Sequence, residues 1–275
     1  MSTVTLKAAR EHRVTVPSLH KRKQRGEPIA MLTAYDCTFA RIFDAAGIDV
    51  LLVGDSLGNV VQGQDTTLPV TLDEIVYHTR LVARGAARAL VVADLPFGSF
   101  QISPEDALRS SVRCVKEGGA HAVKLEGGTA MAPTIERIVS AEIPVMAHVG
   151  LTPQAVHRMG GHRVQGRSEA AAKKVIDDAH AVQQAGAFAV VLEGMPAELA
   201  RAVTRELAIP TIGIGAGVDC DGQVLVMHDM LGLTDWTPSF VKPFAGVGVT
   251  VARAARRYVE EVRERKFPDE EHSYR

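Results

Sequence analysis

The sequence predicts an α/β protein folded as a single (β/α)8 TIM barrel with a short N-terminal helical or arm extension. Three observations predict it. From Ile29 onward, short apolar runs alternate with punctuated helical segments, and no Pro/Ser-rich or low-complexity stretch divides them. The segments AGIDVLLVGD, GAARALVVAD, GGAHAVKLEG and AGAFAVVLEG repeat one unit: a glycine helix stop, a bend, a buried strand and a terminal acid. Repeated helix-to-strand units of this kind build a parallel sheet. The length, 275 residues, is slightly more than the roughly 250 that one such barrel needs.

The elements follow in order. Residues 1–28 are polar and basic, with Lys21, Arg22, Lys23 and Arg25 clustered; they read as a solvated arm or short helix preceding a barrel domain over 29–275. Strands are expected near 30–35, 50–55, 89–95, 121–126, 143–149, 187–193 and 209–214, because these runs are β-branched, too short for helices and bounded by Gly or Pro. An eighth, around 223–228, is ambiguous, since QVLVMHDML also suits a helix start. Thr71 with Glu74 forms a capping box ahead of a helix that Gly85 closes. Ser103 and Pro104 open the next helix with two acids in its first turn. Ser168 opens a third, which Gly186 ends.

Composition narrows the function. A formal net charge of -1 gives no reason to expect nucleic acid or an anionic membrane as partner, and 5% aromatic residues leave little for base stacking. Cys37, Cys114 and Cys220 are far apart and form no CxxC pair, as expected of reduced thiols in a cytoplasmic protein. The first residues hold no apolar signal, and no run approaches the roughly 18 apolar residues of a membrane span.

The chemistry lies at the strand ends. Asp55, Asp94, Glu126 and Glu193 each close an apolar run, and His148 closes a fifth, IPVMAH. One buried acid can be a helix cap; four at strand C-termini line the face where a parallel barrel places its active site. Carboxylates without thiolates suit a hard divalent cation. Lys124, two residues before Glu126, points to the same side of its strand. It reads equally as a charge for a substrate oxyanion, a Schiff-base former or half of a structural ion pair. His148, His157 and His162 have no common zinc spacing. GIGAG at 213–217 is a weak phosphate-cradle motif whose glycines also suit a simple turn.

Taken together, MLTAYD (31–36), LLVGDSLGNV (51–60), TLPVTLDEI (67–75), VVADLPFGSF (91–100), VKLEGG (123–128), HVGLTPQ (148–154), RVQGR (163–167), IPTIGIGAG (209–217) and DGQVLVMHDMLG (221–232) make the chain resemble the ketopantoate hydroxymethyltransferases over nearly its whole length. The resemblance implies a (β/α)8 barrel that transfers a hydroxymethyl group from 5,10-methylenetetrahydrofolate to 3-methyl-2-oxobutanoate. The product would be 2-dehydropantoate, in pantothenate and coenzyme A biosynthesis, formed through a Mg2+-bound enolate. It also implies Asp55 and Asp94 as direct Mg2+ ligands, with Glu126 in or just outside the coordination shell. Asp55, Ser56, Asp94 and Lys124 would bind the oxo acid, Glu193 would be the general base, and His148 is a further mouth residue. A large cyclic homo-oligomer, such as a decamer, is expected. One departure is visible: many members carry Cys after the base, whereas this chain has Gly194, which could loosen that turn. Two alternatives remain: a carbon–carbon lyase of the phosphoenolpyruvate-binding barrels, which should carry a cysteine in a KxCGH-like loop, and a catalytically silent barrel, which should have lost its acids.

Overall fold

The computed structural model describes residues 13–161 and 163–274. Residues 1–12 of the expected N-terminal arm lie outside the described residues, as does His162. Eight parallel strands close a barrel in sequence order: β1 (Ile29–Thr33), β2 (Val50–Val53), β3 (Leu90–Asp94), β4 (Ala122–Glu126), β5 (Val145–Gly150), β6 (Ala189–Glu193), β7 (Thr211–Ile214) and β8 (Gly222–Leu225). β8 pairs with β1 through Ile29–Leu32, which closes the ring. The ambiguous eighth segment turns out to be both of its readings. Gly222–Leu225 is a strand, and the helix Met227–Leu231 starts two residues later.

The helices form where the punctuation places them. Helix α1 spans Val16–Arg25, α2 Cys37–Ala46, α3 Leu72–Gly85, α4 Pro104–Lys116, α5 Ala132–Val139, α6 Glu169–Gln184 and α7 Ala197–Glu206. The Thr71 hydroxyl accepts from the Glu74 N–H while the Glu74 carboxylate accepts from the Thr71 N–H. Ser103 and Ser168 cap α4 and α6 through the N–H groups of Asp106 and Ala171.

The barrel interior is packed by Leu19, Ile29, Met31, Val50, Leu52, Leu90, Val92, Met146, Val191 and Ile212, among others. Each fully buried large aliphatic side chain contributes about 1.5–3 kcal/mol. Leu19 comes from α1, so the N-terminal basic segment is not a solvated arm. It is a helix with its own capping box at Thr15 and a left-handed stop at Gly26, φ 65°. It lies at the N-terminal ends of the strands. Arg22 pairs with Asp49 at 2.7 Å, Lys23 with Asp221 at 2.7 Å, and the His20 ring donates to the Phe188 carbonyl at 2.9 Å.

The chain divides into two compact units, with the boundary after Val226. The second contains α8 (Met227–Leu231) and α9 (Val247–Arg263); α9 buries no residue, and Tyr258 meets Phe267 edge-on. Among the described residues no helix is long and apolar enough to cross a membrane.

Candidate active site

Parallel register brings the strand-end side chains to one level. Asp94 of β3 stands opposite Lys124 of β4, Glu126 opposite His148 of β5, and Gly150 opposite Glu193 of β6. β2 ends at Val53, earlier than the sequence suggests, so Asp55 and Ser56 sit in the turn that follows. All the predicted site residues nevertheless converge. A cavity of about 110 Å3 is lined by Asp55, Ser56, Asp94, Lys124, Glu126, His148 and Glu193. That is well below the roughly 300–1,000 Å3 of pockets for drug-sized ligands, and it suits a molecule of a few heavy atoms.

Asp55, Asp94, Lys124, Glu126 and His148 are all buried, and the Glu193 side chain is 15% exposed at the rim. Lys124 Nζ donates to both Asp94 oxygens at 2.7 and 2.9 Å. Burial works against a charged amine, but Asp94, Glu126 and Asp55 outweigh it and hold Lys124 protonated, above the ordinary lysine value. The ion pair with Asp94 is therefore present, and a protonated amine is a poor Schiff-base nucleophile. Burial also pushes Asp94 up to about 6, against the attraction of Lys124. It pushes Asp55 up as well, with the Glu126 charge adding to the effect.

His148 lies between two acids. Its Nδ1 is 3.5 Å from Glu126 and its Nε2 3.2 Å from Glu193, and neither contact has hydrogen-bonding geometry. Burial and Lys124 oppose a charged ring, yet the flanking carboxylates outweigh them and push it up to about 9. Even with Lys124 and His148 both cationic, the four carboxylates leave a surplus of negative charge. No three His, Cys, Asp or Glu side chains among the described residues form a ready-made metal cage. Excess charge on oxygen donors without a closed cage fits a hard divalent ion that keeps positions for water or substrate oxygens. None of the three cysteines lines the cavity.

The backbone around Glu193 leaves little room for change. Gly150 has φ 95°, and a Cβ there would meet the Glu193 carbonyl oxygen at 2.4 Å, the oxygen that accepts from the Leu151 N–H at 2.9 Å. Gly194, the departure visible in the sequence, has φ 58°. Its turn is held at both sides: the Gly194 N–H donates to Ile214 at 3.0 Å, and its carbonyl accepts from Gln165 at 2.8 Å. In GIGAG, Gly215 and Gly217 both have positive φ, and a Cβ on Gly217 would meet Ala197 at 2.5 Å. Turning and close packing account for these two glycines.

Three participants escape a reading of the sequence alone. The Tyr35 hydroxyl lies 2.8 Å from Ser56 Oγ. Gln154, only 7% exposed, donates from Nε2 to Asp55 at 2.9 Å and from its backbone N–H to Glu126 at 3.0 Å. Gln101 donates to Gln154 at 3.0 Å. All three lie inside or beside segments whose motifs are visible, but a neutral polar side chain carries no signal until its burial is known. A second cavity, about 770 Å3, adjoins the first at Glu126 and is lined by Phe97, Met131, Val149, His157 and Arg158, among others.

Comparisons with known proteins bear on this site. A family model described as ketopantoate hydroxymethyltransferase matches residues 13–270. The 3-methyl-2-oxobutanoate hydroxymethyltransferase of Magnetococcus marinus is 59% identical over 263 residues, covering 95% of this chain and 98% of its own. That of Moorella thermoacetica is 56% identical over 268 residues, covering 97% and 100%. Among solved structures, 2,3-dimethylmalate lyase, a member of the PEP mutase/isocitrate lyase superfamily, superposes with a TM-score of 0.60 at 20% identity, covering 94% of this chain and 91% of its own. That likeness concerns the fold alone.

Proposed function

This chain belongs to the ketopantoate hydroxymethyltransferase family, and we propose that it transfers a hydroxymethyl group from 5,10-methylenetetrahydrofolate to 3-methyl-2-oxobutanoate with a divalent cation, Mg2+, in the mouth. One observation supports this most: the acids, lysine and serine that the family resemblance implies line a single small cavity, which shares Glu126 with a larger one.

Asp55 and Asp94 would hold the cation, with Glu126 beside them through Gln154. When bound, the cation supplies Lewis-acid polarisation of the 2-oxo group, worth several kcal/mol. The chain's own groups do the rest. Lys124 spends two N–H donors on Asp94 and directs its remaining charge to the oxo acid's carboxylate, which Ser56 also meets. Glu193, at the rim, removes the C3 proton, and the resulting carbanionic C3 attacks the one-carbon unit of the folate. Water supplies the hydroxyl oxygen and tetrahydrofolate leaves. His148 lies 3.2 Å from Glu193, and its positive charge attracts that carboxylate. The 770 Å3 cavity gives the folate donor room beside Glu126.

The test is incubation with both substrates and Mg2+, following 2-dehydropantoate. EDTA should abolish its formation and added Mg2+ restore it; full activity after chelation would refute the cation. Borohydride added with the oxo acid should trap no adduct on Lys124. The family resemblance also supports a cytoplasmic, cyclic homo-oligomer such as a decamer. Sedimentation as a 29.5 kDa monomer would refute that.

A further inference from the structure

Gln154 and Gln101 form a directional chain that ends on Asp55. It starts at the Gly98 backbone N–H, which donates to Gln101 Oε1 at 2.7 Å. A backbone N–H can only donate, so the Gln101 amide must present its oxygen there and its NH2 on the other side. That NH2 donates to Gln154 Oε1 at 3.0 Å. Gln154 is thereby obliged to turn its own NH2 inward, where it donates to Asp55 Oδ2 at 2.9 Å and to the Leu95 carbonyl at 3.0 Å. The Leu95 carbonyl can only accept, so the polarity is fixed independently from the far end. Glutamine oxygen and nitrogen are ordinarily hard to tell apart; here a flip of either amide would set oxygen against oxygen at one contact and N–H against N–H at another. The side chain of Gln154 has three of its four hydrogen-bonding positions filled, and its backbone N–H holds Glu126 Oε2 at 3.0 Å.

We propose that Gln154, oriented by Gln101, is a positioning residue for the cation site, holding Asp55 by its side chain and Glu126 by its backbone. The inference rests on the divalent-cation reading above. A single N–H on Oδ2 leaves Asp55 Oδ1 and the second lone pair of Oδ2 available to the ion. It also places the anchor on the loop after β5 (residues 151–155), so that this loop and the β3 loop carrying Gln101 are coupled to the same carboxylate. Gln101 touches neither the proposed ion nor the cavity that holds the oxo acid, so it reports on the relay rather than on direct contact. Gln101→Glu keeps the acceptor for Gly98 but puts a second carboxylate oxygen against Gln154 Oε1, which should force the Gln154 amide to flip.

The experiment is Mn2+ binding to the full-length protein without substrate, followed by electron paramagnetic resonance of the free ion, with the thermal midpoint measured in parallel. Removing a hydrogen-bond partner behind a metal ligand typically weakens binding about 10- to 100-fold. Gln154→Leu should therefore raise the Mn2+ dissociation constant at least about tenfold, and Gln101→Glu by several-fold. Gln101→Met, which lacks the donor but adds no charge, should fall between Gln101→Glu and the parent. A purely structural role would lower the thermal midpoint and leave the dissociation constant unchanged, and that result in Gln101→Glu and Gln101→Met overturns the proposal even if Gln154→Leu fails to fold. A parent protein that binds no Mn2+ overturns the cation reading and this inference with it, whereas parental affinity in all three variants overturns the inference alone.

Discussion

Asp49 precedes β2 and Asp55 follows it, and their surroundings are opposite. Asp49 accepts from Arg22 at 2.7 Å, from Arg88 at 3.1 Å and from the Ala30 N–H at 3.1 Å. Asp55 accepts from the neutral Gln154 amide and stands near Glu126, whose charge adds to the effect of burial in raising its pKa. The pattern holds around the ring. At the N-terminal ends of the strands, Asp44 accepts from the backbone N–H groups of Ala87, Arg88 and Ala89, and Asp221 from Lys23, the Thr211 N–H and the Thr211 hydroxyl. At the C-terminal ends, four carboxylates share Lys124 and His148. The same side chain thus serves two purposes in one barrel. Where its charge is matched, it fastens strands and helix together; where it is left over, it is available to a ligand.

Substitutions at the two ends should therefore separate stability from activity. The largest effect is expected at Glu193→Gln, which keeps size but cannot accept a proton. Turnover should fall about 100- to 10,000-fold, together with exchange of the C3 proton of 3-methyl-2-oxobutanoate in heavy water, while the thermal midpoint stays parental. Parental exchange would remove Glu193 as the base. Next, Asp49→Asn should leave Arg22 and Arg88 without their shared partner and destabilise by about 3 kcal/mol, with catalysis per folded molecule retained; urea unfolding and a turnover assay measure the two separately. Asp55→Asn should do the reverse. It removes a carboxylate that faces Glu126, so stability should hold or rise slightly as activity is lost. If both variants lose stability equally, the distinction between the two ends fails.

The smallest effect is a pH dependence at the stability end. His121 accepts the Val91 N–H on Nδ1 at 2.9 Å, and burial, with Arg13 nearby, pushes its pKa down to about 4. The fold favours the neutral ring, so this contribution is present above about pH 6.5, the unfolded value, and is lost as pH falls toward 4. After allowance for partial exposure it is on the order of 1–2 kcal/mol. Urea titrations across that window should show the loss in the parent and a flatter profile in His121→Gln.

Much of this is legible in the chain. A strand buried on both faces must be apolar throughout, so an acid at or just past its end stands out, and that is why Asp55, Asp94, Glu126 and Glu193 are visible. Capping boxes are local, which makes Thr71 and Glu74 readable. The limits come from contacts between distant residues. Lys21, Arg22, Lys23 and Arg25 look like a solvated basic cluster because Asp49 and Asp221 lie far along the chain. The partner of Lys124, Asp94, lies 30 residues earlier on the neighbouring strand. Gln101 and Gln154 acquire meaning only when both are brought beside Asp55.

The helix α1 ties an early stretch of the chain to a distant one, and this has a consequence for how the molecule is made. Lys23 and Asp221 are separated by 198 residues. At roughly 5–20 residues per second of synthesis, the partner of Lys23 emerges roughly 10–40 s after it. Over that interval Leu19 has no closed barrel to enter, and the helix must wait at the ribosome as a short basic segment with one greasy side. A segment born early is thus among the last to find its place.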